Sequence, residues 1–212
     1  MIFPTGFKLS RNKHLPVFKI LWIEFWPHQV TKLLYTHRRL SIVDSSEEFV
    51  SVKCGASTVR LLPEYFLLLM KEWPIWEKFY RPRFSLIGKT VLDVGAGNGE
   101  TIAFYLLHGA EKVISIESDN RNVEIIRENA RRNRWNAVII NERFGLSQIP
   151  EDLDFMKVDV EGAENELLKL DSLPAPCVIE THSPELRDSF ISKFRMREVA
   201  RLTESISLLS FP

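Results

Sequence analysis

Glycines and carboxylates that could bind a polar ligand are concentrated around residue 95 of this 212-residue chain. Residues 91–100 read Val-Leu-Asp-Val-Gly-Ala-Gly-Asn-Gly-Glu, and Glu117 follows a second apolar run at 113–116. An apolar strand, a glycine-rich turn, a helix and a second strand ending in a carboxylate are typical of a nucleotide-binding unit. The glycines let the backbone turn sharply and approach a ligand closely. Glu117 is placed to accept hydrogen bonds from a ribose diol.

Position 100 distinguishes between two kinds of nucleotide. A dinucleotide-binding loop would have a third glycine there, close to the helix that receives the pyrophosphate, whereas this chain has Glu100. A carboxylate is a poor neighbour for phosphates, so the sequence disfavours a dinucleotide-dependent oxidoreductase. Asp93, before the loop, suits a ligand with an ammonium group. Ribose, adenine and ammonium groups without phosphate describe S-adenosylmethionine, which we therefore expect the chain to bind.

The order of predicted elements indicates a doubly wound, mostly parallel α/β sheet over residues 85–212, of the Rossmann-like methyltransferase kind. Strands are predicted at residues 91–94, 113–116, 137–141, 155–160 and 177–180, followed by a C-terminal β-hairpin at 197–202 and 205–211. Helices are predicted at about 100–108, 121–133, 163–170 and 184–194. Such alternation implies right-handed crossovers, and ligands then bind at the carboxyl ends of the parallel strands.

Residues 1–84 are predicted to form an α+β extension packed on this domain. Its strands are predicted at 40–43, 49–53 and 58–62, with a hairpin turn at 54–57. A helix should begin at Pro63 and end at Trp73-Pro74, and a short helical piece should follow at 75–80.

The first 39 residues form a basic arm, with seven lysines and arginines against the single acid Glu24. This arm either docks on the acidic body or contacts an anionic partner such as RNA, an acidic glycan or lipid headgroups. We expect its most apolar part, residues 15–26, to pack on the core. Peripheral membrane contact is the alternative, because this part carries two tryptophans and is flanked by lysine and histidine.

The cysteines and the hydropathy favour a cytoplasmic protein. Cys54 and Cys177 lack the spacing of a metal-binding knuckle, so we expect reduced, structural thiols. No signal peptide is visible, and no stretch reaches the ~20 apolar residues that span a bilayer.

Because ligands bind at the carboxyl ends of parallel strands, the residues that follow these strands are predicted to form the site. The residues predicted to bind the cofactor are Asp93, Gly95, Ala96, Gly97, Asn98, Gly99, Glu117, Ser118, Asp119, Glu142, Arg143, Phe144 and Asp159. On the acceptor side, Asp159, Glu161, Glu180 and His182 are predicted to converge on one rim. The alternative for Glu161, and more so for Glu164, is that the carboxylate only favours the start of a helix.

Methyl transfer from a sulfonium is an in-line displacement, for which a protein supplies alignment and desolvation. An alcohol acceptor has a high pKa, so a base near its proton helps. Asp159 or His182 is the predicted base, with Glu161 or Glu180 orienting the acceptor or the imidazole. The alternative is a Mg²⁺ ion held by these four residues, because oxygen-rich ligand sets suit that ion.

Three blocks of the sequence resemble the FkbM-type methyltransferases. They are residues 91–99, the block Lys157-Val-Asp-Val-Glu-Gly-Ala-Glu and the block Ile179-Glu-Thr-His. The resemblance covers about residues 85–212, and the second block is its most specific part. It implies an S-adenosylmethionine-dependent enzyme that methylates a hydroxyl group on a sugar, a glycan or another small molecule.

Two other functions stay open at this point. An RNA methyltransferase could use the basic arm and a helix bearing Arg127, Arg131, Arg132 and Arg134, although these arginines also fit an ordinary solvated face. No Asn-Pro-Pro-aromatic segment follows the fourth strand, which disfavours methylation of a flipped base but not of a 2′-hydroxyl. A non-catalytic relative that only binds S-adenosylmethionine is the other possibility, and the intact glycine loop and Glu117 argue against it.

Overall fold

The computed structural model describes residues 40–212, which begin with a three-stranded antiparallel sheet. Its strands are β1 (Leu40–Ser45), β2 (Val50–Cys54) and β3 (Ser57–Leu61), as the sequence predicts. The predicted turn between β2 and β3 is confirmed, with Cys54 paired to Ser57. Gly55 in this turn has a φ of 58°, which short hairpin loops often require and glycine adopts without strain.

The helix after this sheet does not end at Pro74, contrary to the prediction. Helix α1 (Pro63–Ile75) contains Pro74 and continues into a π-helical turn at Trp76–Tyr80. Proline inside a helix costs about 3 kcal/mol because it removes a backbone donor and crowds the preceding turn. The burial of Trp73, Trp76 and Tyr80 in the core offsets that cost, and the wider turn closes with a 3.1 Å hydrogen bond from the Arg81 N–H to the Trp76 carbonyl.

The larger sheet has seven strands in the order β6-β5-β4-β7-β8-β10-β9. The strands are β4 (Thr90–Val94), β5 (Lys112–Ile116), β6 (Ala137–Ile140), β7 (Phe155–Val158), β8 (Cys177–Thr181), β9 (Arg197–Arg201) and β10 (Ser207–Phe211). The pairings among β4 to β8 are parallel, and β10 lies antiparallel between β8 and β9. The predicted mostly parallel sheet and its C-terminal hairpin are therefore confirmed.

Three α-helices follow strands of this sheet, namely α2 (Glu100–Leu107), α3 (Asn120–Asn133) and α4 (Pro184–Phe194). The segment predicted as a helix at 163–170 is a 3₁₀-helix, Ala163–Lys169, instead of an α-helix. Its buried Glu164 and Leu167 are three residues apart, and at three residues per turn this spacing places the two side chains directly above one another on one face.

The sheet is covered by apolar side chains on both faces. Val91 and Leu92 are adjacent in β4, and both are fully buried in different apolar clusters, as expected because successive side chains of a strand point to opposite faces. Val91 packs in the cluster that includes α1 and α2, whereas Leu92 packs in the cluster that includes α4. Both cysteines are buried free thiols.

Two asparagines of α3 bind the backbone of β3. Asn133 accepts a hydrogen bond from the Thr58 N–H at 2.7 Å and donates one to the Thr58 carbonyl at 2.9 Å. Asn129, one turn earlier, pairs with the N–H and carbonyl of Arg60 at 2.8 and 2.9 Å. These four bonds satisfy backbone groups on one edge of the small sheet and attach it to the larger domain.

The predicted basic arm and its apolar segment 15–26 lie outside the described residues. Within residues 40–212, no helix is both long and apolar enough to cross a membrane. The division of the chain into residues 1–84 and 85–212 stays a prediction.

Candidate functional site

A cleft of about 780 Å³ lies where β4, β5, β7 and β8 end. This is the edge at which doubly wound sheets bind their ligands. The predicted site residues that line it are Gly95, Gly97, Glu117, Ser118, Asp119, Glu142, Arg143, Phe144, Asp159, Glu161, Glu180 and His182. Asp93, Ala96, Asn98 and Gly99 are predicted site residues that do not line it.

Asp93 is completely buried and faces a cation of the chain itself. Its Oδ1 lies 3.4 Å from the ammonium group of Lys157, and its Oδ2 accepts a 2.5 Å hydrogen bond from the Thr101 hydroxyl. We therefore correct the expectation that Asp93 binds the ammonium group of a ligand. The partner of Asp93 is an ammonium group, as its sequence context suggests, but that group belongs to Lys157.

Lys157 connects this buried carboxylate to the cleft. Its ammonium group donates a hydrogen bond to the Gly95 carbonyl at 2.7 Å and lies 3.7 Å from Asp159 Oδ2. Burial alone would lower the pKa of Lys157, but the charges of Asp93 and Asp159 outweigh it and raise that pKa above its usual value. Lys157 is therefore a fixed positive charge beneath the glycine loop.

Two glycines of the loop are required by contacts within the chain. Gly95 has a φ of 79°, and a Cβ there would lie 1.9 Å from the Asp159 carbonyl oxygen. Gly97 has a φ of 56°, and its Cβ would lie 2.6 Å from a carboxylate oxygen of Glu100 and 2.7 Å from the Tyr65 ring. A Cβ at position 95 would clash with the backbone of Asp159, and a Cβ at position 97 would displace the side chains of Glu100 and Tyr65.

Asn98 fixes the loop from behind. Its side chain, which is completely buried, accepts a hydrogen bond from the Leu62 N–H at 2.8 Å and donates one to Asn122 at 2.9 Å. Asn122 in turn donates a 2.6 Å hydrogen bond to the hydroxyl of Tyr65. Asn98 therefore positions the loop and connects it to the start of α1, without itself lining the cleft.

Glu117 lines the cleft, and backbone donors hold its side chain in place. Its Oε2 accepts a hydrogen bond from the Gly97 N–H at 3.1 Å, and its Oε1 accepts one from the Asp119 N–H at 2.8 Å. A carboxylate has about four acceptor positions, so each oxygen can accept a further hydrogen bond. Asp119 is also the N-cap of α3, where it accepts the Arg121 N–H at 2.7 Å.

Glu100 lines the cleft with little exposure, and burial raises the pKa of its carboxyl group to about 8. Its Oε2 accepts a 2.8 Å hydrogen bond from the Asn98 N–H. From the sequence alone, Glu100 is expected to be charged and to repel phosphates. With this pKa the group is mostly protonated at neutral pH, so its repulsion of phosphates is weaker than expected.

One face of α1 and of the π-helical turn forms a wall of the cleft, which the sequence analysis missed. The residues of this wall are Tyr65, Leu68, Glu72 and Trp76. Their spacing of three, four and four residues places them on a single helical face. That periodicity is visible in the sequence, but nothing local indicates which element the face contacts.

Tyr80 connects two of the predicted acceptor-side residues. Its hydroxyl donates a 3.0 Å hydrogen bond to Glu180 Oε2 and lies 3.4 Å from Asp159 Oδ2. Burial raises the pKa of Glu180 to about 7, and the neighbouring Asp159 charge adds to this effect. Burial also raises the pKa of Tyr80 well above its usual value, which keeps its hydroxyl proton in place as a donor.

His182 lies between carboxylates on both sides of its ring. Its Nδ1 is 3.3 Å from Glu164 Oε1, while its Nε2 is 3.7 Å from Asp159 Oδ1 and 3.6 Å from Glu180 Oε1. The contact with Glu164, followed by the charge of Asp159, raises the pKa of His182 despite its partial burial. Glu164 therefore contacts His182 as well as standing near a helix start.

Three of the four predicted acceptor-side residues meet. Asp159, Glu180 and His182 offer one ligand atom each within 4.8 Å of one another, and together they could hold a metal ion. Glu161 is exposed at the border of the cleft and is not part of this group. We call these three residues the acidic–histidine cluster.

Comparison with known proteins gives partial sequence matches, and no family model matches the chain. The ribosomal protein L11 methyltransferase of Pseudomonas savastanoi pv. phaseolicola is 41% identical over 76 residues, which are 36% of this chain and 24% of that protein. Protein arginine N-methyltransferase 6 of Xenopus tropicalis is 34% identical over 77 residues, which are 35% of this chain and 22% of that protein. The chain thus spans about a quarter of the length of these relatives.

Solved structures match over most of the chain. The crystal structure of M. jannaschii TYW2 in complex with AdoMet superposes with a TM-score of 0.51 at 13% identity, covering 82% of this chain and 92% of that one. PH0793 of Pyrococcus horikoshii gives a TM-score of 0.54 at 14% identity, covering 93% of this chain and 84% of that one. These likenesses show that the chain has the Rossmann-like fold of class I methyltransferases.

Proposed function

We propose that the chain is an S-adenosylmethionine-dependent methyltransferase. The observation that carries this proposal is Glu117, whose carboxylate is held at the end of β5 by the Gly97 and Asp119 N–H groups, in a cleft that opens beside the glycine loop. The methyltransferase names of the partial relatives and the AdoMet-bound TYW2 structure support it.

The donor occupies the half of the cleft around the glycine loop. Glu117 accepts hydrogen bonds from the ribose diol, and Gly95 and Gly97 lie under the methionine part. The adenine lies against the segment after β6, where the mostly buried Phe144 offers a ring face and Glu142 and Arg143 offer polar groups. Both oxygens of Glu117 retain acceptor capacity for the diol, so this arrangement breaks no existing hydrogen bond.

The methyl acceptor occupies the half of the cleft that the acidic–histidine cluster and the α1 wall form. We propose a hydroxyl group on a sugar, a glycan or another small molecule, as the FkbM-type resemblance implies. As the hydroxyl oxygen attacks the methyl group, the carbon–sulfur bond breaks and the acceptor loses its proton. The cluster is where that proton is lost, because its atoms Oδ1, Oε1 and Nε2 face one another at the border of the cleft.

The charge of the cleft favours a neutral or cationic acceptor over a nucleic acid. Besides the mostly protonated Glu100, the acidic residues that line the cleft are Glu72, Glu117, Asp119, Glu142, Asp159, Glu161 and Glu180. The basic residues that line it are Arg143, Lys157 and His182. A polyanion is repelled from such a surface. The arginines considered for RNA binding are exposed on α3 and at its C-cap, Arg134, and none of them lines the cleft. One of them, Arg132, pairs with Glu128.

A methyl-transfer assay tests the proposed function. The full chain is incubated with S-adenosylmethionine that carries a labelled methyl group, and with pools of hydroxyl-bearing small molecules, RNA or protein. We expect label to enter a hydroxyl acceptor and S-adenosylhomocysteine to form in equal amount. If label enters only RNA or only protein, the proposed small-molecule acceptor is wrong and that macromolecule is the acceptor. Absence of S-adenosylmethionine binding would remove the function altogether.

A further inference from the structure

We infer that the acidic–histidine cluster of Asp159, Glu180 and His182 is a binding site for one divalent cation. Each residue divides its polar atoms between two directions. Asp159 Oδ2 and Glu180 Oε2 face the Tyr80 hydroxyl, and His182 Nδ1 faces Glu164. Of the remaining atoms, His182 Nε2 lies within 3.7 Å of both Asp159 Oδ1 and Glu180 Oε1. Metal ligands in proteins are typically held in this way by partners behind them.

The distances between the converging atoms fit a cation better than direct hydrogen bonds. Nε2 lies 3.7 Å from Asp159 Oδ1 and 3.6 Å from Glu180 Oε1, which is longer than a hydrogen bond. Ligand atoms about 2.1 Å from a shared ion are roughly 3.0 Å apart in octahedral geometry and 3.4 Å apart in tetrahedral geometry. The two distances from Nε2 must therefore shorten by about 0.6–0.7 Å to reach the octahedral spacing and by about 0.2–0.3 Å to reach the tetrahedral spacing.

Glu164 prepares His182 for this role. It is completely buried, its Oε1 lies 3.3 Å from His182 Nδ1, and its Oε2 has no hydrogen-bond partner among the described residues. A carboxylate behind the imidazole favours the tautomer with its proton on Nδ1, which leaves the lone pair of Nε2 for a metal. Burying a carboxylate costs free energy unless a partner compensates its charge. The imidazole of His182 is such a partner for Glu164.

The charges around the cluster match a divalent ion. Lys157 is balanced by Asp93, with which it forms the buried pair, and it approaches Asp159 on the oxygen that faces away from the site. Asp159 and Glu180 then supply two negative charges and His182 a neutral ligand. One imidazole with two carboxylates suits Mn²⁺, because imidazole binds transition metals whereas Mg²⁺ prefers ligand sets of oxygen alone.

A role of this ion in catalysis rests on the proposed function, whereas the binding of the ion to the cluster does not. Three protein ligands leave coordination positions open towards the cleft, where a hydroxyl oxygen of the acceptor can bind. A bound cation lowers the pKa of such a hydroxyl. The cluster would then act on the acceptor through the ion, which makes the acceptor an oxygen ligand.

Titration of the metal-stripped full chain with Mn²⁺ alone tests the inference, by calorimetry and by loss of the free-ion electron paramagnetic resonance signal. We expect one saturable site per chain, and binding at least tenfold weaker in Glu180→Gln and in His182→Gln. The matched control Glu185→Gln, an exposed carboxylate three residues after His182, should bind as wild type does. No saturable binding to wild type, or equal binding in all four proteins, overturns the inference.

S-adenosylhomocysteine titrated into the same four proteins separates this test from that of the proposed function. Retained S-adenosylhomocysteine binding without Mn²⁺ binding would remove the metal site and leave the methyltransferase proposal intact. Mn²⁺ binding without S-adenosylhomocysteine binding would do the reverse. Thermal unfolding of each variant verifies that it is folded. If one variant is unfolded, the titration of wild type still decides whether the site exists.

Discussion

The ammonium group of Lys157 lies 3.4 Å from Asp93 Oδ1, and both side chains are almost completely buried. The two residues face each other across the parallel pair of β4 and β7, in which Asp93 is the register partner of Lys157. Lys157 also donates to the Gly95 carbonyl and approaches Asp159. One buried cation therefore connects the strand beneath the glycine loop with the acceptor side of the cleft.

Replacing Lys157 should destabilise the protein strongly. Lys157→Met leaves Asp93 buried without its counter-charge, which typically costs about 3–5 kcal/mol. Urea unfolding followed by circular dichroism measures this cost. Lys169→Met is the matched control, because Lys169 is 65% exposed in its pair with Glu166, and exposed pairs contribute about 0–1 kcal/mol. A loss for Lys157→Met no larger than that of the control would show that the buried pair does not stabilise the fold.

Glu100 should make stability fall as the pH rises. Its folded pKa is raised by burial from the ordinary value of 4.5 to about 8, so between these values the folded state holds a proton that the unfolded state has lost. The free energy of unfolding then falls with increasing pH, by at most about 1.4 kcal/mol per pH unit from this group. Glu100→Gln keeps an acceptor for the Asn98 N–H but does not titrate.

Urea unfolding at pH 5, 6, 7 and 8 compares this variant with wild type. The free energy of unfolding of Glu100→Gln, relative to that of wild type, should increase with pH across that range. The free energy of unfolding of the exposed control Glu151→Gln should change with pH as that of wild type does. A constant difference between Glu100→Gln and wild type would mean that Glu100 titrates at its ordinary pKa.

Glu164 should control the protonation of His182. The contact between Glu164 and the imidazole is the largest cause of the raised pKa of His182, so Glu164→Gln should lower that pKa. Nuclear magnetic resonance of the histidine ring protons in the metal-free protein follows the titration directly. Glu166→Gln, which changes a partly exposed neighbour paired with Lys169, serves as the control. An unchanged His182 titration in Glu164→Gln would remove Glu164 as a positioning residue.

Removal of His182 should affect turnover more than donor binding. His182→Ala is expected to lower kcat by about 10²–10⁴, which is the usual worth of a group that acts on a proton in the transition state. S-adenosylhomocysteine affinity should change much less, because the ring contacts Asp159, Glu164 and Glu180 on the acceptor side. Equal losses in kcat and in donor affinity would place His182 in the donor site.

The features that the sequence predicted correctly depend on local patterns. Glu117 follows an apolar strand and a glycine-rich turn by a fixed interval, so the fold and the edge of the sheet at which the cleft opens follow from neighbouring residues. The pairing of Asp93 with Lys157 depends on the register between β4 and β7, which are 60 residues apart in the chain and are joined only by tertiary structure. The sequence therefore showed a carboxylate suited to an ammonium group without showing whose ammonium group it is.

The contacts of α1 with the cleft could not be predicted for the same reason. The face of α1 formed by Tyr65, Leu68 and Glu72 is visible as a helical pattern, but only the packing shows that it lines the cleft. Local rules also misjudged Pro74, because its propensity to end a helix is weaker than the burial of the aromatic residues that surround it.

Isothermal titration of S-adenosylhomocysteine into wild type, Glu117→Ala and the exposed control Glu151→Ala tests the central claim most directly. We predict saturable binding to wild type and to the control, and a loss of roughly 3–6 kcal/mol in Glu117→Ala, because about two hydrogen bonds to a charged acceptor are removed at ~1.5–3 kcal/mol each. Unchanged affinity in Glu117→Ala, or tighter binding of NAD than of S-adenosylhomocysteine by wild type, would contradict the account.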